Sequence, residues 1–408
     1  MLRRVLAPRQ QGCCKGLPGV FRRYAPRIDG AGGATGGHDA NQGHRVDKLK
    51  PSVAFGRGLL QRSRQHRRRP FHVGVLAPTS GAMGLLGPCA LACAALARDT
   101  WNAQGGLDGR EVRLTLLNSS ETNAELDDAV RDLVDGGEVD ALVALSNTAV
   151  CRRLADVVDA RVPLIYTPLY EGSGLPGWVH AIGETPERQL LPAIDWLAGR
   201  YRPRRWYLLG NDYSWPRRTH ALAMPAIRAG DGEVVRERYV PLGERDYDAI
   251  LEDVVASRAQ VLLLSLLTAD AVHFCRAFER AGLGGRVLRL STCVEENTVL
   301  GVGDANSEGM FIAAGYFDAL DSDANHAFKE RYRGRLGDRA PALNSASQSV
   351  YEGFAHLQRQ AQGRRGPLLP GARDTRRGAY DASRSPIYLG EACGLGIRPL
   401  RTLTDAPG

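Results

Sequence analysis

The sequence predicts an α/β fold of two successive parallel-sheet lobes with a ligand cleft between them, and three observations carry that reading. Short apolar stretches alternate with amphipathic ones from Phe71 onward, the pattern of a parallel sheet covered by helices on both faces. The alternation runs through once and begins again near Pro186. The chain has 408 residues, 43% hydrophobic and 24% charged, an ordinary globular composition at a length where one core gives way to two.

The elements follow in order. Phe71–Ala77 is a short apolar strand and Pro78–Gly81 a turn. Small and apolar residues then recur every three or four positions over about Gly87–Asn102, until Gln104–Gly109 ends the helix. A strand at Arg110–Leu117, a helix near 123–136, a strand at Asp140–Ser146, a helix near 149–160 and a strand at Val162–Tyr166 complete the first unit. The second unit opens with a helix near 186–201 and a strand at Arg205–Gly210, then a helix near 216–229 and a strand at Val234–Val240. It continues through a helix near 247–257, a strand at Gln260–Leu267, a helix near 269–281 and strands at Val287–Ser291 and Met310–Ala314. Helices near 322–336 and 342–362 close the regular part. The expected organisation is therefore a disordered basic extension over 1–69, lobe one over 70–185 and lobe two over 186–320. A helical stretch over 321–362, its last helix returning to lobe one, leads to an irregular segment over 363–408, where Pro386–Leu389 reads as a last short strand.

The formal charge of +8 belongs to the N-terminal extension. Residues 1–70 hold 16 Lys and Arg against 3 Asp and Glu, leaving 37 basic and 42 acidic residues for the rest. The folded body is mildly acidic, and no direct nucleic-acid binding is expected of it. Val5-Leu-Ala-Pro8 is too short for the apolar core of a secretory signal, and no run approaches the roughly eighteen apolar residues of a membrane span. A cytoplasmic location is expected of the sequence as written, and an extracytoplasmic one if the true start lies elsewhere. Of the eight Cys, Cys89 and Cys93 share a helical face and none forms a metal-type pair with a nearby His, so buried free thiols are expected, with no metal and no cofactor.

The motifs of catalysis are missing as well. The first strand ends Ala-Pro-Thr-Ser-Gly, without a phosphate-cradling G-x-G-x-x-G or a Walker lysine. There is no G-x-S-x-G elbow and no H-E-x-x-H. The acidic pair Glu295-Glu296 reads as helix-start charge. A binding role is expected, not an enzymatic one.

In parallel α/β sheets, ligands sit beyond the carboxyl ends of the strands. Here those ends offer hydroxyls, an amide and aromatics: Ser80 after the first strand, Ser146, Asn147 and Thr148 after the third, and Tyr166, Thr167 and Tyr170 after the fourth. Asp212, Tyr213 and Trp215 follow the first strand of lobe two, and Thr268 a later one. Together they describe a neutral pocket rich in donors and acceptors, with flat aromatic walls. Such a pocket suits a small planar amide. A charged ligand would need a committed anchor, and Asp212 is the carboxylate that strand-end reasoning offers for an α-ammonium group.

Two segments carry a family resemblance. Ile165-Tyr-Thr-Pro-Leu-Tyr-Glu-Gly172 resembles the Tyr-Pro-x-x-Tyr-Glu-Gly signature of the urea and short-chain amide branch of type I periplasmic binding proteins. Gly210-Asn-Asp-Tyr-Ser-Trp-Pro-Arg217 is similar to that branch's Gly-Ser-Asp-Tyr-x-x-Pro-Arg. Pro192–Leu197, Tyr239–Gly243 and Tyr316-Phe317 resemble the same group, and the likeness runs from about Phe71 to Gln360. The resemblance implies two Rossmann-like lobes that close about a hinge on urea or a short aliphatic amide. It implies ligand contacts from Tyr166, Tyr213 and Thr148, with Glu171 a structural carboxylate beside Tyr170. Its partners would be an ABC permease, or a regulatory protein if the chain is a cytoplasmic amide sensor; a homodimer and a branched-chain amino acid ligand are further options. The sequence departs from the branch at Thr167, where the signature has Pro, at Ser146, where an aromatic is usual, and over Leu267–Asp270. On this reading Tyr166→Ala and Tyr213→Ala each abolish most affinity and leave thermal stability nearly unchanged.

Overall fold

The computed structural model describes residues 69–120, 123–362 and 386–404. The expected disordered extension and the arginine-rich stretch after Gln362 lie outside the described residues.

Lobe one is built from β1 (Phe71–Ala77), α1 (Gly87–Ala103), β2 (Val112–Asn118), α2 (Asn123–Asp135), β3 (Ala141–Ala144), α3 (Thr148–Val158), β4 (Leu164–Tyr166) and β5 (Val179–Ala181). Its five strands are parallel in the order β2-β1-β3-β4-β5. The central strand β3 is buried along its whole length, which is why it reads as an unbroken apolar run and not as an alternation. β5, three residues long, has no pattern that sequence reasoning could detect. Asn147 stops the chain from entering α3 too early: its side chain accepts from the Val150 N–H at 2.9 Å and caps the helix.

Lobe two contains α4 (Pro186–Tyr201), β6 (Arg205–Asn211), α5 (Ser214–Ala229), β7 (Glu233–Val240), α6 (Asp248–Ala256) and β8 (Val261–Ser265). α7 (Thr268–Arg280), β9 (Leu288–Ser291), α8 (Glu296–Val302) and β10 (Met310–Ala314) follow. Then come α9 (Asp323–Leu336), α10 (Ser345–Gln362) and a hairpin of β11 (Ile387–Cys393) and β12 (Gly396–Thr404). The seven-stranded sheet runs β12-β11-β10-β9-β8-β6-β7.

The hairpin corrects the expectation of an irregular C-terminal segment. β11 pairs antiparallel with β10, and β12 with β11, so the lobe-two sheet is mixed. Ile387 and Leu389 alternate into the apolar layer beneath α4, and Gly394, at φ +63°, makes the tight turn between the strands. That packing happens only once β10 offers an edge, so nothing local in the sequence announces it.

The stretch Gly81–Ala103 is long and apolar enough to cross a membrane by length and composition, contrary to the expectation drawn from run length. In the fold it is a 3-10 turn (Gly81–Leu86) followed by α1, and α1 buries Ala90, Ala94, Ala97 and Trp101 in the lobe-one core. α10 packs along α1, with Trp101 and Phe354 rings 5.4 Å apart. α9 lies on the same helix through Cys93, Phe328 and Tyr332. Small Ala and Cys residues raise the hydropathy of α1 and also let its neighbours approach closely.

Candidate functional site

Between the lobes lies a cleft of about 600 Å³ of empty space, its solvent mouth included. Lobe one lines it with Met83 and Leu86 from the 3-10 turn, Ser146, Asn147 and Thr148 at the start of α3, and Tyr166 to Leu169 after β4. Lobe two contributes Tyr213 and Trp215 after β6, Leu267 and Thr268 after β8, and Cys293 and Glu295 after β9. Glu184, where the chain passes between the lobes, and Ser345, Ala346 and Ser349 from the first turns of α10 complete the wall. Loops at the carboxyl ends of both sheets thus meet in one place, as open parallel sheets dictate.

Most of the hydroxyls in this wall spend their hydrogen on the protein. Tyr166 Oη donates to the Ser146 carbonyl at 3.0 Å, with the Leu169 carbonyl at 3.3 Å and Thr148 Oγ1 at 3.2 Å. Because that hydrogen goes to a carbonyl, Thr148 is the donor to Tyr166, and its lone pairs are left for the cleft. Thr268 Oγ1 donates across the lobes to the Ala82 carbonyl at 2.6 Å. Thr167 Oγ1 donates to the Ala144 carbonyl at 3.2 Å, and Ser349 Oγ to the Thr167 carbonyl. Ser146 Oγ reaches the Asn147 carbonyl at 3.2 Å. Tyr213 differs: its hydroxyl has no hydrogen-bond partner among the described residues.

Two carboxyls stand in the wall, and burial pushes both of their pKa values upward. Glu295 accepts from the Ala346 N–H at 3.1 and 3.3 Å, so it caps α10. The pair also stands at the start of its own helix, Glu295 as the residue before α8 and Glu296 as its first, as the sequence predicts. Glu296 turns away from the cleft, accepts from the Asp318 N–H at 2.8 Å and is raised by burial to about 8. Burial also holds the Cys293 thiol protonated, its pKa pushed up to about 12. Among the described lining residues there is no Lys or Arg.

Several residues singled out in the sequence fall elsewhere. Ser80 is exposed and bonded to Ser120, because the 3-10 turn rotates Met83 and Leu86 inward in its place. Asp212 is exposed and held by Arg217 at 2.7 Å, so it does not anchor a ligand in the cleft. Tyr170 packs into the lobe-one core, and Glu171 is buried outside the lining. Asn147, a strand-end residue in the sequence, does line the cleft. Glu184, Ser345 and Ser349 were missed, because they reach the cleft only through the crossings between lobes.

A second polar cluster has the form of a hydrolase relay. His220 Nε2 lies 3.2 Å from Ser265 Oγ, and its Nδ1 lies 3.1 Å from Tyr239 Oη and 3.5 Å from Glu237. Ser265 is buried and is not part of the cleft wall, while burial, aided by Arg217, lowers the His220 pKa to about 3. The cluster ties α5 to the sheet. No group of three or more metal-ligating side chains occurs among the described residues.

Residues 70–376 match the profile of the periplasmic binding protein family. The chain belongs to that family. A curated relative of this periplasmic binding protein is the Leu/Ile/Val-binding protein homolog 3 of Brucella melitensis, 22% identical over 300 residues that make up 72% of this chain and 79% of that protein. Among solved structures, an ABC-transporter solute-binding protein of R. palustris in complex with 4-hydroxybenzoate aligns with TM-score 0.71 at 19% identity, covering 83% of this chain and 98% of that one. The branched-chain amino acid transporter protein LivJ of Streptococcus pneumoniae, in complex with isoleucine, aligns with TM-score 0.70 at 16% identity, covering 83% and 100%. At these identities the likeness shows the shared two-lobed fold.

Proposed function

We propose that this periplasmic binding protein is the solute receptor of an ABC importer and closes on a small N–H-bearing ligand, a short-chain aliphatic amide or urea. One observation carries the reading: the cleft wall is rich in acceptors. Thr148, Thr268 and Ser349 donate to protein partners and so offer lone pairs inward, Glu184 and Glu295 add two carboxyls, and no Lys or Arg lines the cleft. An amide answers this with its NH₂ group, while the amide of Asn147 and the Tyr213 hydroxyl remain as donors to its carbonyl. The apolar side chains of Met83, Leu86, Leu169 and Leu267 give a hydrocarbon tail a place to lie, which favours an aliphatic amide over urea.

A free aromatic acid, such as the R. palustris protein binds, would bring a carboxylate to a wall with no Lys or Arg to pair with it. A branched-chain amino acid is the second reading, favoured by the same carboxyls as partners for an ammonium group. Thermal-shift titration of the chain with acetamide, butyramide, urea, isoleucine and 4-hydroxybenzoate separates them. A ligand at a hundred times its Kd adds about 2.7 kcal/mol, a rise of several degrees. A rise with butyramide or acetamide supports the amide reading, and one with isoleucine alone moves the protein to the second. A rise with 4-hydroxybenzoate alone overturns both.

A further inference from the structure

We propose that Glu171 is the centre of a latch that holds the two lobes closed before any solute binds. Glu171 stands in lobe one, in the chain that leaves β4, and is 2% exposed. Its Oε1 accepts from Ser214 Oγ at 2.7 Å, and Ser214 is the first residue of α5 in lobe two. Arg152, on α3 of lobe one, brings Nη2 to 3.5 Å from the same carboxylate oxygen and Nη1 to 3.3 Å from Ser214 Oγ. One turn further along α5, Arg218 donates to the Glu171 main-chain carbonyl at 3.1 Å. Charge-assisted bonds of this kind are about twice as strong as neutral ones, and the carboxylate also sits at the positive end of a sixteen-residue helix.

The arrangement has the balance that a reversible latch requires. The second carboxylate oxygen, Oε2, is buried with no partner among the described residues, so closing leaves one acceptor unsatisfied and opening returns it to water. None of Glu171, Arg152, Ser214 and Arg218 lines the cleft, so the latch acts on lobe separation and not on ligand chemistry. It is a positioning device, and it holds whatever solute the cleft takes.

A separate contact between the lobes reports on it. Thr268 donates to the Ala82 carbonyl at 2.6 Å and Asn297 Nδ2 to the Leu85 carbonyl at 2.8 Å, which pins the 3-10 turn to lobe two through residues that the latch does not touch. Hydrogen-exchange mass spectrometry on the full chain, with no solute added, compares the wild type with Glu171→Gln. The glutamine keeps the shape and removes the charge opposite Arg152. The expected result is exchange at least tenfold faster over residues 81–86 as well as over 170–174 and 214–218, with strand β8 unchanged. Arg218→Gln and Ser214→Ala shift the 81–86 segment in the same direction, and they carry the test alone if Glu171→Gln loses its cooperative melt. Acceleration confined to 170–174 and 214–218 would show a purely local role and overturn the latch. So would acceleration of β8 by the same factor, which is general destabilisation, or no change at all.

Discussion

Tyr166 and Tyr213 show how two residues of one type divide the work of a site. Both were expected to touch ligand and to be dispensable for stability. Tyr166 is wholly buried, its ring in the lobe-one core and its hydroxyl satisfied by Ser146 and Thr148. Its role is to orient Thr148. Removing that hydroxyl with Tyr166→Phe leaves buried acceptors unpaired, so it costs roughly 1–3 kcal/mol of stability, measured by urea unfolding, and weakens binding through the loosened Thr148. Tyr166→Ala, expected from sequence to be harmless to the fold, instead opens a core cavity and is destabilising by about 3–5 kcal/mol, the range for large aromatic truncation. Tyr213→Phe does the opposite: with no protein partner to lose, it leaves the melting temperature within a degree or two and raises the Kd for the preferred solute about tenfold, as lost hydrogen bonds of about 1.4 kcal/mol do. Calorimetric titration beside a thermal melt checks the split. Unchanged affinity in Tyr213→Phe would take that hydroxyl out of the site.

At the scale of elements, helix starts and a late hairpin decide the architecture. α3 owes its position to Asn147, and Asn147→Ala is expected to cost about 1 kcal/mol, the usual value of such a cap, while also moving Thr148, the next residue, in the cleft. α10 approaches the sheet through Gly353: a Cβ there would stand 2.8 Å from Thr167 Cγ2 and 3.3 Å from Val143 Cγ1. Gly353→Ala therefore pushes the Thr167 wall into the cleft, and a drop in affinity larger than the drop in melting temperature is expected. The β11–β12 hairpin covers one side of β10 and supplies Ile387 and Leu389 to the layer under α4. Ending the chain at residue 385 exposes that edge and removes both side chains. Proteolysis of the shortened protein should then begin in lobe two while lobe one resists, and equal resistance in both lobes would contradict the packing described here.

Over the whole molecule, buried titratable groups set opposing limits on stability. His220 and His356 are held neutral by burial, with pKa values lowered to about 3 and about 4 from an ordinary 6.5. Their contribution is intact above pH 6.5 and is lost as pH falls towards those values, because the unfolded chain takes up protons that the folded one refuses. Glu296 has the reverse sign. Raised from 4.5 to about 8, it contributes fully below pH 4.5, and the contribution is lost as pH rises through 8. Melting temperature against pH should therefore fall on both sides of a weakly acidic maximum, and Glu296→Gln should flatten the alkaline limb alone. An alkaline limb unaffected by that substitution would assign it to another group.

The sequence by itself determined the fold class, the doubled unit and the strand-end loops, because these depend on patterns a few residues long: apolar runs, helix periods, caps such as Asn147. It also located Ser146, Thr148, Tyr166, Thr167, Tyr213, Trp215 and Thr268, all of which the folded chain brings to the cleft wall. Which of their hydroxyls still face a ligand was decided only in three dimensions, since Tyr166 and Thr268 find partners 20 and 186 residues away. The two carboxyls of the wall, the inward turn of Met83 in place of Ser80 and the C-terminal hairpin have the same origin. Each depends on a surface that exists only after a distant segment has packed, and a hydrogen bond or a sheet edge between remote residues leaves no period in the chain.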